Sequence, residues 1–141
     1  MTPKKEIALI RFAQDANGRP FRWGAWCCNT VGLRALDVLT GGNHFAEAAG
    51  KFATKAEADE FQRRYGRRFD EYLLALGATE IAPGFEQVGD FLVVEGRKWQ
   101  MVHVCLGDRI LSASEREGVR LFRRSEFALE NYRVFRIVEA G

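Results

Sequence analysis

The sequence predicts an α+β domain in which helices lead and an antiparallel sheet follows. The period of the apolar residues carries that expectation: up to about Leu76 they recur at helical spacing, and beyond Gly84 they alternate as strand residues do. Glycine and proline fall singly between the patterned segments, with no linker, internal repeat or low-complexity tract, as turns inside one domain do. A length of 141 residues suits one domain. Residues 1–141 are therefore read as a single unit, with a helical part over about 1–80 and a sheet part over about 85–140.

The first helix is expected from Pro3 to Ala16, with Pro3 at its start, Ile7, Ile10 and Phe12 on its buried side, and Asn17-Gly18 as its stop. Arg19-Pro20-Phe21-Arg22-Trp23-Gly24 reads as an extended, turn-rich approach to a second helix. In that helix Val31, Leu36 and Leu39 share a face until Thr40-Gly41-Gly42 ends it, which puts Cys28 at or near a helix N-terminus. Thr54-Lys55-Ala56-Glu57 matches the capping-box pattern and announces a third helix, and a fourth covers Phe69 to Leu76 before Gly77. Five strands follow: Asp90 to Glu95, Lys98 to Leu106, Arg109 to Ser114, Val119 to Arg123 and Tyr132 to Val138. Tight turns are expected at Gly96-Arg97, Gly107-Asp108 and Glu117-Gly118, with one helical turn at Ser125 to Glu130 before the last strand.

Composition removes several function classes. With 47% hydrophobic, 28% charged and 12% aromatic residues the chain is no disordered tail. No stretch nears the roughly 18 apolar residues of a membrane span, and Met1-Thr2-Pro3-Lys4-Lys5-Glu6 lacks the apolar segment of a signal peptide, so a cytoplasmic site of synthesis is expected. Lysine and arginine total 21 against 19 acids, and a net charge of +2 argues for no nucleic-acid partner. Arg63-Arg64-Tyr65-Gly66-Arg67-Arg68-Phe69 interleaves cations with aromatics, but a solvated helix end looks the same. Three cysteines form no paired framework, and all are read as reduced thiols. Cys27, Cys28, His103 and Cys105 lack the spacing of zinc or iron–sulfur ligands, so neither metal nor cofactor is expected. His44, after Gly41-Gly42-Asn43, reads as an ordinary loop residue.

One constellation could carry chemistry. Along the strand Lys98 to Leu106, Met101, His103 and Cys105 point to one side and Val102, Val104 and Leu106 to the other. If the sheet packs on the Cys28 helix, His103 can approach Cys28. A helix N-terminus and a nearby imidazole lower a thiol pKa, and the imidazole then protonates a leaving amine. Ser112, on the neighbouring strand, is the group that would orient the ring. Each residue also has a structural reading: Cys28 as a small buried residue at a helix start, His103 as a hydrogen-bonded core histidine, and Phe21, Trp23 and Trp26 as a core wall. Trp26 could alternatively line a substrate groove.

At Trp23-Gly24-Ala25-Trp26-Cys27-Cys28 the sequence resembles the NlpC-type cysteine peptidases, small papain-like domains that cleave or remodel peptidoglycan peptides. Cys28 takes the nucleophile position of that pattern, and Cys27 replaces its aspartate. Gly89-Asp90 is similar to the pair that opens the family's sheet. Val102-His103-Val104-Cys105-Leu106-Gly107-Asp108 and Ile110-Leu111-Ser112-Ala113-Ser114 resemble its histidine strand and the strand bearing its third catalytic residue. The resemblance spans roughly Arg19 to Val138 and implies a papain-like fold with Cys28, His103 and Ser112 as the catalytic set. The Pro-Phe-x-Trp-Gly segment before a Cys-Cys pair is similar to a branch encoded in bacteriophage tail-assembly regions. That kinship implies tail hub, tip or baseplate proteins as partners, host peptidoglycan as substrate, and a place in the virion tail after assembly in the bacterial cytoplasm.

Two departures set the functional expectation. Aligning Leu106-Gly107 with the family puts Met101 at the histidine position and His103 two residues later, on the same side but displaced by about 6–7 Å. Ser112 stands where the family has a stronger orienting group. The expectation is therefore a tail component with a peptidase-like fold and a degenerate catalytic set. The alternative is an active cysteine peptidase with Cys28 as nucleophile.

Overall fold

A computed structural model describes residues 1–48, 53–58, 60, 68–96, 100–126 and 131–137. Helix α1 spans Pro3–Ala16, where Thr2 accepts a hydrogen bond from the Lys5 amide through its side chain and Pro3 fills the first helical position. Helix α2 spans Cys28–Thr40 and stops at Gly41, whose φ of 71° is a left-handed conformation that a side chain would strain. A short α3 at His44–Ala48 follows, where the sequence suggested only loop. Residues 55–58 are helical as the capping box predicts: Glu57 donates its amide to Thr54 Oγ1 at 3.1 Å, and its carboxylate accepts from the Ala53 amide at 3.2 Å. Helix α4 covers Phe69–Ala75.

Among the described residues the sheet has six antiparallel strands rather than five. They are β1 (Thr79–Ile81), β2 (Phe91–Glu95), β3 (Gln100–Cys105), β4 (Arg109–Ser114), β5 (Gly118–Arg123) and β6 (Tyr132–Arg136), in the spatial order β1-β6-β2-β3-β4-β5. The strand that escaped the sequence, β1, has three residues, largely exposed, which leave no alternation to read; its pairing with β6 defines it. At the opposite edge, β5 does not offer a free ladder. Gly18 donates to the Val119 carbonyl at 2.7 Å, Val119 donates to Arg19 at 2.9 Å, and Leu121 donates to Asn17 Oδ1 at 2.9 Å. A Cβ on Gly118 would stand 2.7 Å from the Arg19 carbonyl oxygen, so glycine is what allows this close approach. The expected turns at Gly107-Asp108 and Glu117-Gly118 are present, and the helical turn before β6 appears as a 3-10 turn at Arg124–Glu126. Residues 97–99 and 127–130, on which the rest of those expectations fell, lie outside the described residues, as does most of the Arg63–Phe69 run.

The helices cover one sheet face. Leu9, Ala13 and Ala16 of α1 join Val31, Ala35, Leu36 and Leu39 of α2 against Phe91, Val93, Val102, Val104, Leu111, Val119 and Phe135. This corrects the buried stripe of α1 in part: Phe12 packs against the core as expected, but Ile7 is 51% exposed, and the fully buried positions are a leucine and two alanines at helical spacing. The small alanines let α1 approach α2 closely, which a stripe of Ile7, Ile10 and Phe12 would not. Gly32 does the same for α2, since a Cβ there would lie 3.0 Å from both Phe69 and Val102. The other face carries Leu92, Cys105 and Ile110, packed with Tyr132.

Buried charge pins the two ends of this sheet. Asp90 is 1% exposed and receives both Nε and Nη2 of Arg136 at 2.9 Å, while its Oδ2 accepts the Gln87 amide at 2.8 Å. Asp70 at the start of α4 pairs with Arg133 of β6 at 2.7 Å, and Gln100 of β3 accepts the Asp70 amide at 3.0 Å. No helix among the described residues is long and apolar enough to cross a membrane.

Candidate functional site

The loop before α2 is a tight reversal. Trp26 donates to the Arg22 carbonyl at 2.7 Å and Arg22 donates back at 3.2 Å. Phe21 and Trp23 meet edge to face at 4.8 Å and pack with Cys27 and Ala58, so these two rings form the structural wall that one sequence reading gave them. Trp26 packs against the main core instead.

Cys27 is the residue that caps α2. Its extended backbone (φ −105°, ψ 174°) precedes the helix, its amide donates to Thr30 Oγ1 at 2.9 Å, and Thr30 donates to the Cys27 carbonyl at 3.1 Å. The Cys27 sulfur lies 3.3 Å from the same hydroxyl. An aspartate at this position would bring a charged acceptor to the helix N-terminus; the thiol does not. Cys28 thus opens α2, where the sequence placed it.

The helix N-terminus does not activate Cys28. Burial pushes its thiol up to about 11, and the neighbouring Cys27 adds to the rise, while backbone amides of Val102, Asn29 and Cys28 itself pull the other way without winning. Its sulfur donates a long hydrogen bond to Asn29 Oδ1 at 4.0 Å. At neutral pH it is a protonated thiol.

His103 and Ser112 are brought together as expected. Their strands run side by side, with Val104 opposite Leu111 and Cys105 opposite Ile110, and the imidazole Nδ1 shares a 2.9 Å hydrogen bond with Ser112 Oγ. Both residues are 6% exposed. Burial depresses the His103 pKa to about 4, so the ring is neutral at physiological pH.

The placement of this pair differs from the arrangement the sequence suggested. The sheet does pack on α2, but through the aliphatic side of β3. Val102 and Val104 belong to the core with Val31, Ala35 and Leu36, and strand alternation then turns His103 to the opposite face, where its cross-strand neighbour Leu92 packs with Cys105 and Ile110. On β3 the backbone amide of Val102 reaches the Cys28 sulfur. Met101 is 39% exposed on the His103 side. Cys105 is fully buried on that face, with its thiol 3.8 Å from the Gly107 carbonyl and its pKa raised by burial.

His44 is more than loop. Its amide donates to Asp37 Oδ1 at 2.5 Å, and its ring Nδ1 shares a hydrogen bond with the Tyr72 hydroxyl, joining α3 to α2 and α4. Sequence reading also passed over Arg34, a lone cation within the largely apolar middle of α2 that proves to be stacked between aromatic rings. Its isolation among Leu33, Ala35 and Leu36 was the available signal.

The described part of the site can therefore hold a neutral thiol at a helix start and a neutral, hydroxyl-oriented imidazole on β3. No group of three histidine, cysteine or acidic side chains among the described residues could hold a metal ion. A search of curated proteins finds no match. A family model described as "Domain of unknown function (DUF6950)" matches residues 2–136, nearly the whole chain, and the protein belongs to that family.

Proposed function

We propose that this protein is a bacteriophage tail-tip or hub component with an NlpC-type, papain-like fold and a degenerate catalytic set, acting by binding neighbouring tail proteins rather than by hydrolysis. The observation that carries this reading is the side on which His103 lies: its ring, held by Ser112, is on the sheet face opposite α2, while Cys28 at the start of α2 meets β3 at the Val102 amide. The protonation states support it, because a thiol near 11 and an imidazole near 4 do not form the thiolate–imidazolium pair that cysteine hydrolysis uses. The order of elements, with helices leading to an antiparallel sheet and a cysteine opening a helix, supports the papain-like fold.

The helix-start position of Cys28 and the formed His103–Ser112 bond favour a second reading, an active peptidase on host peptidoglycan. One experiment separates the two. Purified protein is incubated with peptidoglycan and released muropeptides are measured, in parallel with co-expression beside the tail hub and tip proteins of the same phage. The binding reading expects no release, and a defined complex that persists in Cys28→Ala. Release that disappears in both Cys28→Ala and His103→Ala would overturn it, as would failure to form any complex with those tail proteins.

A further inference from the structure

The first turns of α2 carry a second cluster of charge and aromatic surface that Cys28 chemistry does not use. The Arg34 guanidinium carbon lies 4.0 Å from the centroid of Trp26 and 3.7 Å from that of Phe45, and its Nε donates to the Ala25 carbonyl at 3.0 Å. Two rings and one hydrogen bond thus fix the guanidinium. Phe45 is itself held in place from α2, because the Asp37 carboxylate accepts the amides of His44 and Phe45 at 2.5 and 3.0 Å. A second guanidinium, that of Arg19, stands 4.5 Å from the same Trp26 ring. Its backbone is anchored to β5 on one side and to Ala16 on the other.

This arrangement is costly unless something offsets it. Two like charges share one indole, Arg34 is half-buried, and neither arginine has a carboxylate within ion-pair distance among the described residues. Burial and the Arg19 charge both make the cationic form of Arg34 harder to hold, with Asp37 opposing them. Stacking on the two rings offsets part of that cost. What it leaves is a rigid donor edge: with Nε occupied, Arg34 keeps its two terminal nitrogens side by side in one plane.

We propose that Arg34 and Arg19 around Trp26 form a docking site for a carboxylate on an acidic peptide segment of a partner chain. Two parallel N–H groups match the two oxygens of a planar carboxylate. Two cations with Asp37 nearby leave a local charge of +1, which a single carboxylate neutralises and a phosphate dianion would overshoot. A nucleic-acid base is a poorer occupant because guanidiniums already lie over the indole. The proposal goes beyond the tail-component reading and does not depend on whether Cys28 reacts.

The test is a titration of the full chain with an end-blocked Glu-Gly-Glu-Gly-Glu peptide. The Gln-Gly-Gln-Gly-Gln counterpart, inorganic phosphate and a thymidine hexanucleotide are the other arms, followed by the Trp26 indole and Arg34 Nε NMR signals. The glutamate peptide is expected to move both signals, to bind at least tenfold more tightly than the glutamine peptide, and to weaken as salt rises. Arg34→Lys keeps the charge but loses the planar edge and should weaken binding about tenfold, and Arg19→Gln about threefold. Equal binding of the two peptides, no binding of either, tighter binding of phosphate or oligonucleotide, or an Arg34→Lys variant as tight as the parent would each overturn the proposal. If Arg34→Lys does not fold, Arg19→Gln decides, because its side chain lies outside the sandwich and its unchanged affinity would be equally fatal.

Discussion

Thiol reactivity offers the sharpest check on how Cys28 sits. A pKa of about 11 against an ordinary 9.0 leaves about one thiolate in 10⁴ at pH 7, roughly 100-fold less than an unperturbed cysteine. Alkylation by iodoacetamide, with the modified site read by mass spectrometry, should therefore be about 100-fold slower at Cys28 in the folded chain than in the same chain in urea. The rate should climb about tenfold per pH unit up to about pH 10 and level off above 11. The same shift is linked to stability. Because the folded-state pKa lies above the unfolded one, the stability contribution is fully present below about pH 9 and is lost as pH rises through 11. The loss approaches about 2–3 kcal/mol of the difference between wild type and Cys28→Ser. A Cys28 rate that levels off below pH 8.5 would refute the reasoning, since it would mean that the Val102 amide and the helix N-terminus outweigh burial and that the thiol is activated.

Other elements make their own predictions. The His103 ring should titrate near 4 by NMR, and because its folded pKa lies below the unfolded value of about 6.5, stability relative to His103→Gln should be intact above pH 6.5 and fall as pH drops to 4; a midpoint above 6 would contradict its burial. Arg136→Ala leaves the Asp90 carboxylate, 1% exposed, without its cation and should cost about 3–5 kcal/mol in urea unfolding. Asp90→Ala should cost less, because the Arg136 side chain is 33% exposed and can turn to water; the reverse order would show that the pair is not organised around the buried acid. Gly32→Ala sets about 1 kcal/mol of helix propensity against a Cβ 3.0 Å from both Phe69 and Val102, and a net loss of about 1–2 kcal/mol is expected, so a stabilised variant would show that α2 has room to shift on β3.

The sequence disclosed elements wherever one residue type answers one local demand. Pro3, Gly41 and the Thr54-Glu57 box mark helix ends because their backbone or capping chemistry acts within a few residues, and those ends fall where expected. The buried stripe of α1 was misjudged because hydrophobicity alone favours Ile7 over Ala13, whereas close helix packing favours the smaller side chain. Strand β1 was invisible because three largely exposed residues carry no pattern and only β6 defines them.

The site was half legible for a related reason. Alternation in β3 separated Val102 and Val104 from Met101, His103 and Cys105 correctly, and cross-strand proximity of His103 and Ser112 followed. Which side meets α2 is a tertiary choice, and it follows the apolar area each side offers. A face of valines gives a helix more to bury than a face carrying an imidazole, at about 25 cal/mol per Å² of apolar surface. Placing His103 toward α2 would set its ring against Val31 and Ala35 and move two valines to the smaller buried cluster of Leu92, Cys105 and Ile110. The same accounting makes Arg34 informative: a guanidinium within an otherwise apolar stretch of α2 persists because Trp26, Phe45 and the Ala25 carbonyl receive it, and its two terminal nitrogens are what a partner's carboxylate could complete.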